Sequence, residues 1–132
     1  MKTTLSMMIV LSMTLLMLTG CGTPFTNLCE QKGATMTQMT NVLKTVQDAE
    51  SAEKAVPRLD PLVAKFAKID SELDEYNSLE EIGKMDKGSQ KRFMKRYGEL
   101  KEMGNAFYAE VDRVRSDPEM FAPLEDVLSP SR

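Results

Sequence analysis

The chain has 132 residues, 20 acidic and 17 basic side chains, a net charge of −3, two Cys, no His and no Trp. That charge balance excludes a basic nucleic-acid binder, and lack of imidazole removes the commonest general base and metal ligand. The length holds one domain, and two Cys are too few for a disulfide scaffold.

Residues 1–20 have the layout of a secretory signal. Lys2 supplies the positive start, and an apolar core of 14 residues runs from Leu5 to Leu18. A bilayer-spanning helix needs about 20 such residues, so this core falls short of a span. It ends in Leu18-Thr19-Gly20-Cys21. That segment resembles the lipobox of bacterial lipoproteins, in which a Leu stands three residues before the modified Cys. The resemblance covers about the first 21 residues. It implies cleavage after Gly20, a diacylglycerol on the sulfur of Cys21 and an acyl group on the new N-terminus, with no other cofactor. Each buried methylene contributes about 0.8 kcal/mol, and stable anchoring takes more than one chain, which a two- or three-chain lipid on one Cys supplies. The residue after the Cys is Gly22 and not Asp, so the resemblance leans toward the periplasmic face of the outer membrane over the inner membrane. A lipidated Cys21 leaves Cys29 without a partner in the chain. The remainder of the chain loosely resembles small helical lipoproteins, which implies no activity.

After cleavage only Lys2 is lost among the charged residues, so residues 21–132 are one unit more acidic than the −3 of the whole chain. Residues 21–34 contain Gly, Thr, Pro and Asn without periodicity and read as a flexible tether. Met36, Met39, Leu43 and Val46, spaced 3, 4, 3, predict a helix over 35–48, with Thr37 and Thr40 on its other faces. Asp48 and Ser51 both offer an N-cap. Pro57 and Pro61 leave two readings open: a short helix over 51–56 followed by one capped at Asp60, or a single long helix kinked near Pro57. The ladder Leu59, Leu62, Phe66, Ile69, Leu73, Tyr76 belongs to either. Residues 77–88 read as a connector with a turn at 79–82. Ser89 is the expected N-cap of the longest helix, over 90–115, whose ladder is Phe93, Tyr97, Leu100, Gly104, Phe107, Val111, Val114. Asp117-Pro118-Glu119 signals a last short helix, and Met120, Phe121, Leu124, Val127 and Leu128 are placed to cover one end. Residues 129–132 read as frayed.

The expected fold is all-α, a small antiparallel helical bundle over 35–128. It has three main helices with coiled-coil-like heptads and a short C-terminal helix. The second and third helices are expected to pair as a hairpin. Residues 48–81 hold 10 acids and 4 bases, and residues 84–101 hold 7 bases and 2 acids. Such a hairpin sets Asp70, Glu72, Asp74 and Glu75 opposite Lys91, Arg92, Lys95 and Arg96.

Catalytic and metal constellations are not expected. Ser51-Ala52-Glu53-Lys54 fits S-x-x-K, but its companion motifs are missing and Ser51 reads better as a cap. The acidic run at 70–75 lacks the Gly of a calcium loop. The candidate ligand or partner surface is Tyr97, Gly104, Phe107 and Tyr108, where the missing side chain of Gly104 admits a large group. The expected role is a non-catalytic binding or scaffold module in the cell envelope. It is held to the membrane by its lipid, with an envelope protein as partner and no nucleic acid. The alternative is a carrier of a small apolar ligand.

Overall fold

The computed structural model describes residues 22–129. The signal, the lipobox with Cys21 and residues 130–132 lie outside the described residues. No strand occurs among the described residues.

Helix α1 is Pro24–Lys44. It begins well before the expected residue 35, so the stretch read as a tether is helix from Pro24 onward. The start is well specified: the Thr23 hydroxyl accepts from the Thr26 amide at 3.2 Å, and Pro24 occupies the first turn, where its missing N–H costs nothing. Phe25 and Leu28 are buried there. Helix α2, Ala49–Leu73, is capped at Asp48. The Asp48 carboxylate accepts from the Ser51 amide at 2.8 Å, and the Ser51 hydroxyl accepts from the Asp48 amide at 3.0 Å. The helix runs unbroken through Pro57 and Pro61, which decides between the two readings; no new helix is capped at Asp60. Both prolines lie on the solvent face. The carbonyls that lose a donor, those of Glu53 and Pro57, belong to exposed residues that water can reach.

Helix α3, Ser78–Gly83, stands in the connector. Helix α4, Lys87–Arg115, is capped by Asp86 and not by Ser89; Ser89 instead donates its amide to Asp86 at 2.8 Å. Helix α5, Pro118–Phe121, follows the Asp117 cap. A 3₁₀ turn, Ala122–Leu124, and helix α6, Glu125–Leu128, complete the chain.

The bundle is organised around α1. It packs along α2 on one side and α4 on the other, whereas α2 and α4 barely touch. The expected hairpin of the second and third long helices therefore does not form. The reason lies in α1's own surface. Phe25, Leu28, Met36, Met39, Val42 and Leu43 are buried on more than one face, and so are Gly33, Thr35 and Thr40. A helix apolar most of the way round takes the centre. The threonines belong there because each hydroxyl is satisfied within the helix: Thr35 donates to the Gln31 carbonyl and Thr40 to the Met36 carbonyl, both at 2.8 Å.

Pairings across the helices set their directions. Lys32 meets Asp70 and Leu43 packs near Ala52 and Ala55, so α2 runs antiparallel to α1. Phe93 meets Phe25, Arg96 meets Glu30, and Arg113 donates to the carbonyls of Leu43 and Val46 at 2.8 and 3.0 Å, so α4 runs parallel to α1. At one end Leu43, Val46, Leu59, Val114, Met120 and Leu124 form a closed core, with Phe121, Val127 and Leu128 packed on it. The C-terminal helices cover this end, as their sequence suggests. At the other end, among the described residues, nothing comparable fills the space between α2 and α4.

The two aspartate caps give the fold a defined acid response. Hydrogen bonds from the backbone N–H and then the hydroxyl of Ser51 hold Asp48 below the usual carboxylate range, and Ser89 does the same for Asp86. A carboxyl with a lowered folded-state pKa contributes stability above its unfolded value, and loses it as pH falls through the folded one. The thermal midpoint should hold from pH 7 to about pH 5 and drop below about pH 4. A double Asp48→Asn, Asp86→Asn variant keeps the cap oxygens without the charge and should drop less. Superimposable acid profiles for the two proteins would refute the assignment.

Candidate functional site: a groove between α2 and α4

Because α2 and α4 flank α1 without meeting, the end carrying Phe25, Tyr76 and Phe93 opens into a groove of about 700 Å³. Phe25, Cys29, Gly33 and Met36 of α1 form its floor. Asp70, Leu73 and Asp74 of α2, with Tyr76 just past its end, form one wall, and Ile82 of α3 lies at the mouth. The opposite wall is a single stripe of α4 at helical spacing: Phe93, Tyr97, Leu100, Gly104 and Tyr108, with Met94, Lys101 and Asn105 beside it. Gly33 is needed here: a Cβ at that position would run into the Leu100 side chain and meet the Met103 sulfur at 3.3 Å.

Four rings run in series across the mouth. Tyr76 and Phe25 are 5.9 Å apart, Phe25 and Phe93 5.8 Å, and Phe93 and Tyr97 6.2 Å, all tilted. Such contacts contribute about 0.5–1.5 kcal/mol beyond area burial. Tyr97, Tyr108 and Met94 nevertheless remain 53%, 58% and 54% exposed, which makes this wall the main apolar surface that the bundle leaves uncovered. Leu79 on α3 is also exposed but stands apart from the groove.

The charges differ from the expected arrangement. Asp70 pairs with Lys32 of α1 at 2.6 Å, and Lys32 also lies 5.3 Å from the Phe66 ring centre. Arg96 grips Glu30 of α1 through two bonds, 2.7 and 2.8 Å, and Glu99 through a third at 2.7 Å; these carboxylates raise its pKa. Asp70 and Arg96 thus both turn to α1, which stands between the helices that were to pair. Glu72, Asp74, Glu75, Lys91, Arg92 and Lys95 form no ion pair among the described residues. Burial pushes the Cys29 thiol up, and nearby Lys32 partly opposes this.

Of the four candidate residues, the structure brings Tyr97, Gly104 and Tyr108 together on the groove wall. Phe107 does not join them. Its ring, 5.4 Å from that of Tyr108, packs on the closed core instead. The S-x-x-K serine is the cap partner of Asp48, and Lys54 pairs with Glu50 at 3.0 Å. Among the described residues no group of three His, Cys, Asp or Glu is placed to hold a metal ion, and no helix is long and apolar enough to cross a membrane. Sequence reasoning missed Phe25, Cys29, Gly33, Tyr76 and Ile82 as groove residues. The arrangement is chemically a site for burying an apolar group beside one or two charges. Comparison with protein-family models, known proteins and solved structures finds no match.

Proposed function

We propose that the chain is a lipid-anchored, non-catalytic binding module of the bacterial cell envelope. The groove between α2 and α4 is its binding surface, and an envelope protein is its partner. The diacylglycerol and N-acyl chains on Cys21 hold it to the periplasmic face of the outer membrane. The observation that carries the binding role is the uncovered α4 wall, where Met94, Tyr97 and Tyr108 are each more than half exposed around a concave floor. Exposed apolar side chains that line a concavity are the surface on which a partner or ligand would be sought. The anchor reading rests on Leu18-Thr19-Gly20-Cys21 at the end of an apolar core.

A second reading, a carrier of a small apolar ligand, is favoured by the groove's size. About 700 Å³ falls within the roughly 300–1,000 Å³ typical of small-molecule sites.

Two experiments test these readings. Metabolic labelling with a fatty-acid probe should mark the wild type and leave Cys21→Ser unmarked; equal labelling of both would falsify the anchor. A photo-cross-linking residue at Tyr97 should capture an envelope protein in cells, and the same residue at exposed Glu53, at the closed end, should not. Capture of the same protein from both positions would argue against the groove.

A further inference from the structure

We infer that the groove takes one long-chain fatty acid, its carboxylate at Lys101 and its chain running between α2 and α4 toward Phe25 and Ile82. This deepens the second reading, a carrier of a small apolar ligand, and rests on it.

Size comes first. From Phe93 to Tyr108 the α4 wall is about 22 Å long at 1.5 Å per residue. One bilayer leaflet, whose depth an acyl chain spans, is about 15 Å of a 30 Å core. A helix filling that length at 10–12 Å diameter would need about 2,000 Å³, several times the roughly 700 Å³ present. A docked helix would ride above the floor and leave its depth empty, whereas a single extended chain reaches the floor at Gly33.

Charge sets the polarity of the bound chain. Two lysines line the groove. Lys32 is engaged by Asp70 at 2.6 Å, and Lys101, an exposed residue on the rim, has no carboxylate within 4.0 Å among the described residues. Asp74 lies toward the mouth and would repel a second anion there. An anionic head therefore belongs at Lys101. Between Lys101 and the mouth the walls are Leu100, Tyr97, Phe93, Leu73 and Phe25, a stretch of about 12 Å along α4, so the last few carbons of a chain about 15 Å long emerge at the mouth.

Position supplies the ligand. Phe25, in the mouth, is four residues from Cys21, a reach of about 14 Å at most. With Cys21 acylated, the mouth opens at the headgroup level.

The test uses the full chain expressed in bacteria and purified into phosphatidylcholine vesicles. The probe is palmitic acid carrying a diazirine, also supplied in solution so that the result does not depend on the anchor. After illumination the label should map to the peptides carrying Leu73 and Tyr97, and unlabelled palmitate should compete. Lys101→Glu should cut labelling about tenfold or more, as expected for losing one charge-assisted contact. Leu79→Glu, outside the groove, should leave labelling unchanged. Lys101→Met removes only the charge and should show a smaller loss, which serves if the Glu variant fails to fold by circular dichroism.

No groove label would overturn the proposal, and so would label indifferent to Lys101. A diazirine phosphatidylcholine labelling the same peptides as strongly would identify a two-chain bilayer lipid instead. Labelling that rises on Cys21→Ser would identify the protein's own anchor chain as the occupant. If palmitate fails while a cross-linker at Tyr97 captures an envelope protein, the binding surface stands and the fatty acid falls; if both fail, both fall.

Discussion

Leu43→Ala should destabilise the protein by about 3–4 kcal/mol, near the middle of the range for leaving a cavity in place of a large aliphatic side chain. Leu43 is fully buried and sits among Val46, Leu59, Val114 and Leu124, at the one place where α1, α2, α4 and the C-terminal turn all converge. The site has little freedom to collapse. The carbonyl of Leu43 is held by Arg113 at 2.8 Å, which ties the end of α1 to α4. The thermal midpoint should fall by roughly 10–20 °C for a domain of this size. Leu128→Ala, at a half-buried position on the edge of the same core, should cost about 1 kcal/mol or less. Chemical denaturation of both variants checks this. If Leu43→Ala lost less than about 1 kcal/mol, the closed end would not be where the stability resides.

The helical class was legible because the ladders at 36–46, 59–76 and 93–114 keep a 3.5-residue period, and Asp117-Pro118 marks a helix start without ambiguity. The first eleven residues of α1 were not legible in that way. The ladder does extend back from Met36 in steps of 4, 3 and 4 through Lys32 and Cys29 to Phe25. However, Lys32 breaks the apolar pattern at the one position where its ammonium both lies over the Phe66 ring and finds Asp70. Gly33 beside it reads as a breaker when taken alone, yet it is the gap into which Leu100 fits. The prolines of α2 misled in the other direction. A proline costs about 3 kcal/mol inside a helix, but here both stand on the exposed face, where water can reach the freed carbonyls.

The arrangement of helices was harder to read than their existence. Opposite charges on the second and third ladders suggested direct pairing, but charge selects a partner only among surfaces that can already reach each other. Which helix takes the centre depends on how much of its circumference is apolar or self-satisfied. The threonines of α1 concealed this, because their hydroxyls bond back to carbonyls four residues earlier and can be buried at little cost. The same concealment applied to the site. Tyr97, Gly104 and Tyr108 could be picked from one helix. The floor from α1 and the wall from α2 appear only once α1 is known to lie between its neighbours.

Phe93→Ala should cost about 3 kcal/mol, with effects confined to one end of the molecule. Phe93 is 9% exposed and joins the ring series between Phe25 and Tyr97. Phe25, Leu28, Ile69 and Phe93 are buried at the groove end but stand outside the core cluster around Leu43. With so little apolar packing between α2 and α4 there, removing one ring should let the first turns of α1 and α4 open together while the closed core holds. Amide exchange should accelerate over residues 25–33 and 88–97 and remain near wild type over 39–43 and 111–114. Palmitate labelling of the groove should be lost with it, although Lys101 is untouched. Leu43→Ala should do the reverse, speeding exchange throughout. Uniform acceleration in Phe93→Ala would mean that the two ends are one cooperative unit, and a groove that opens without unfolding the core could not then be built on this bundle.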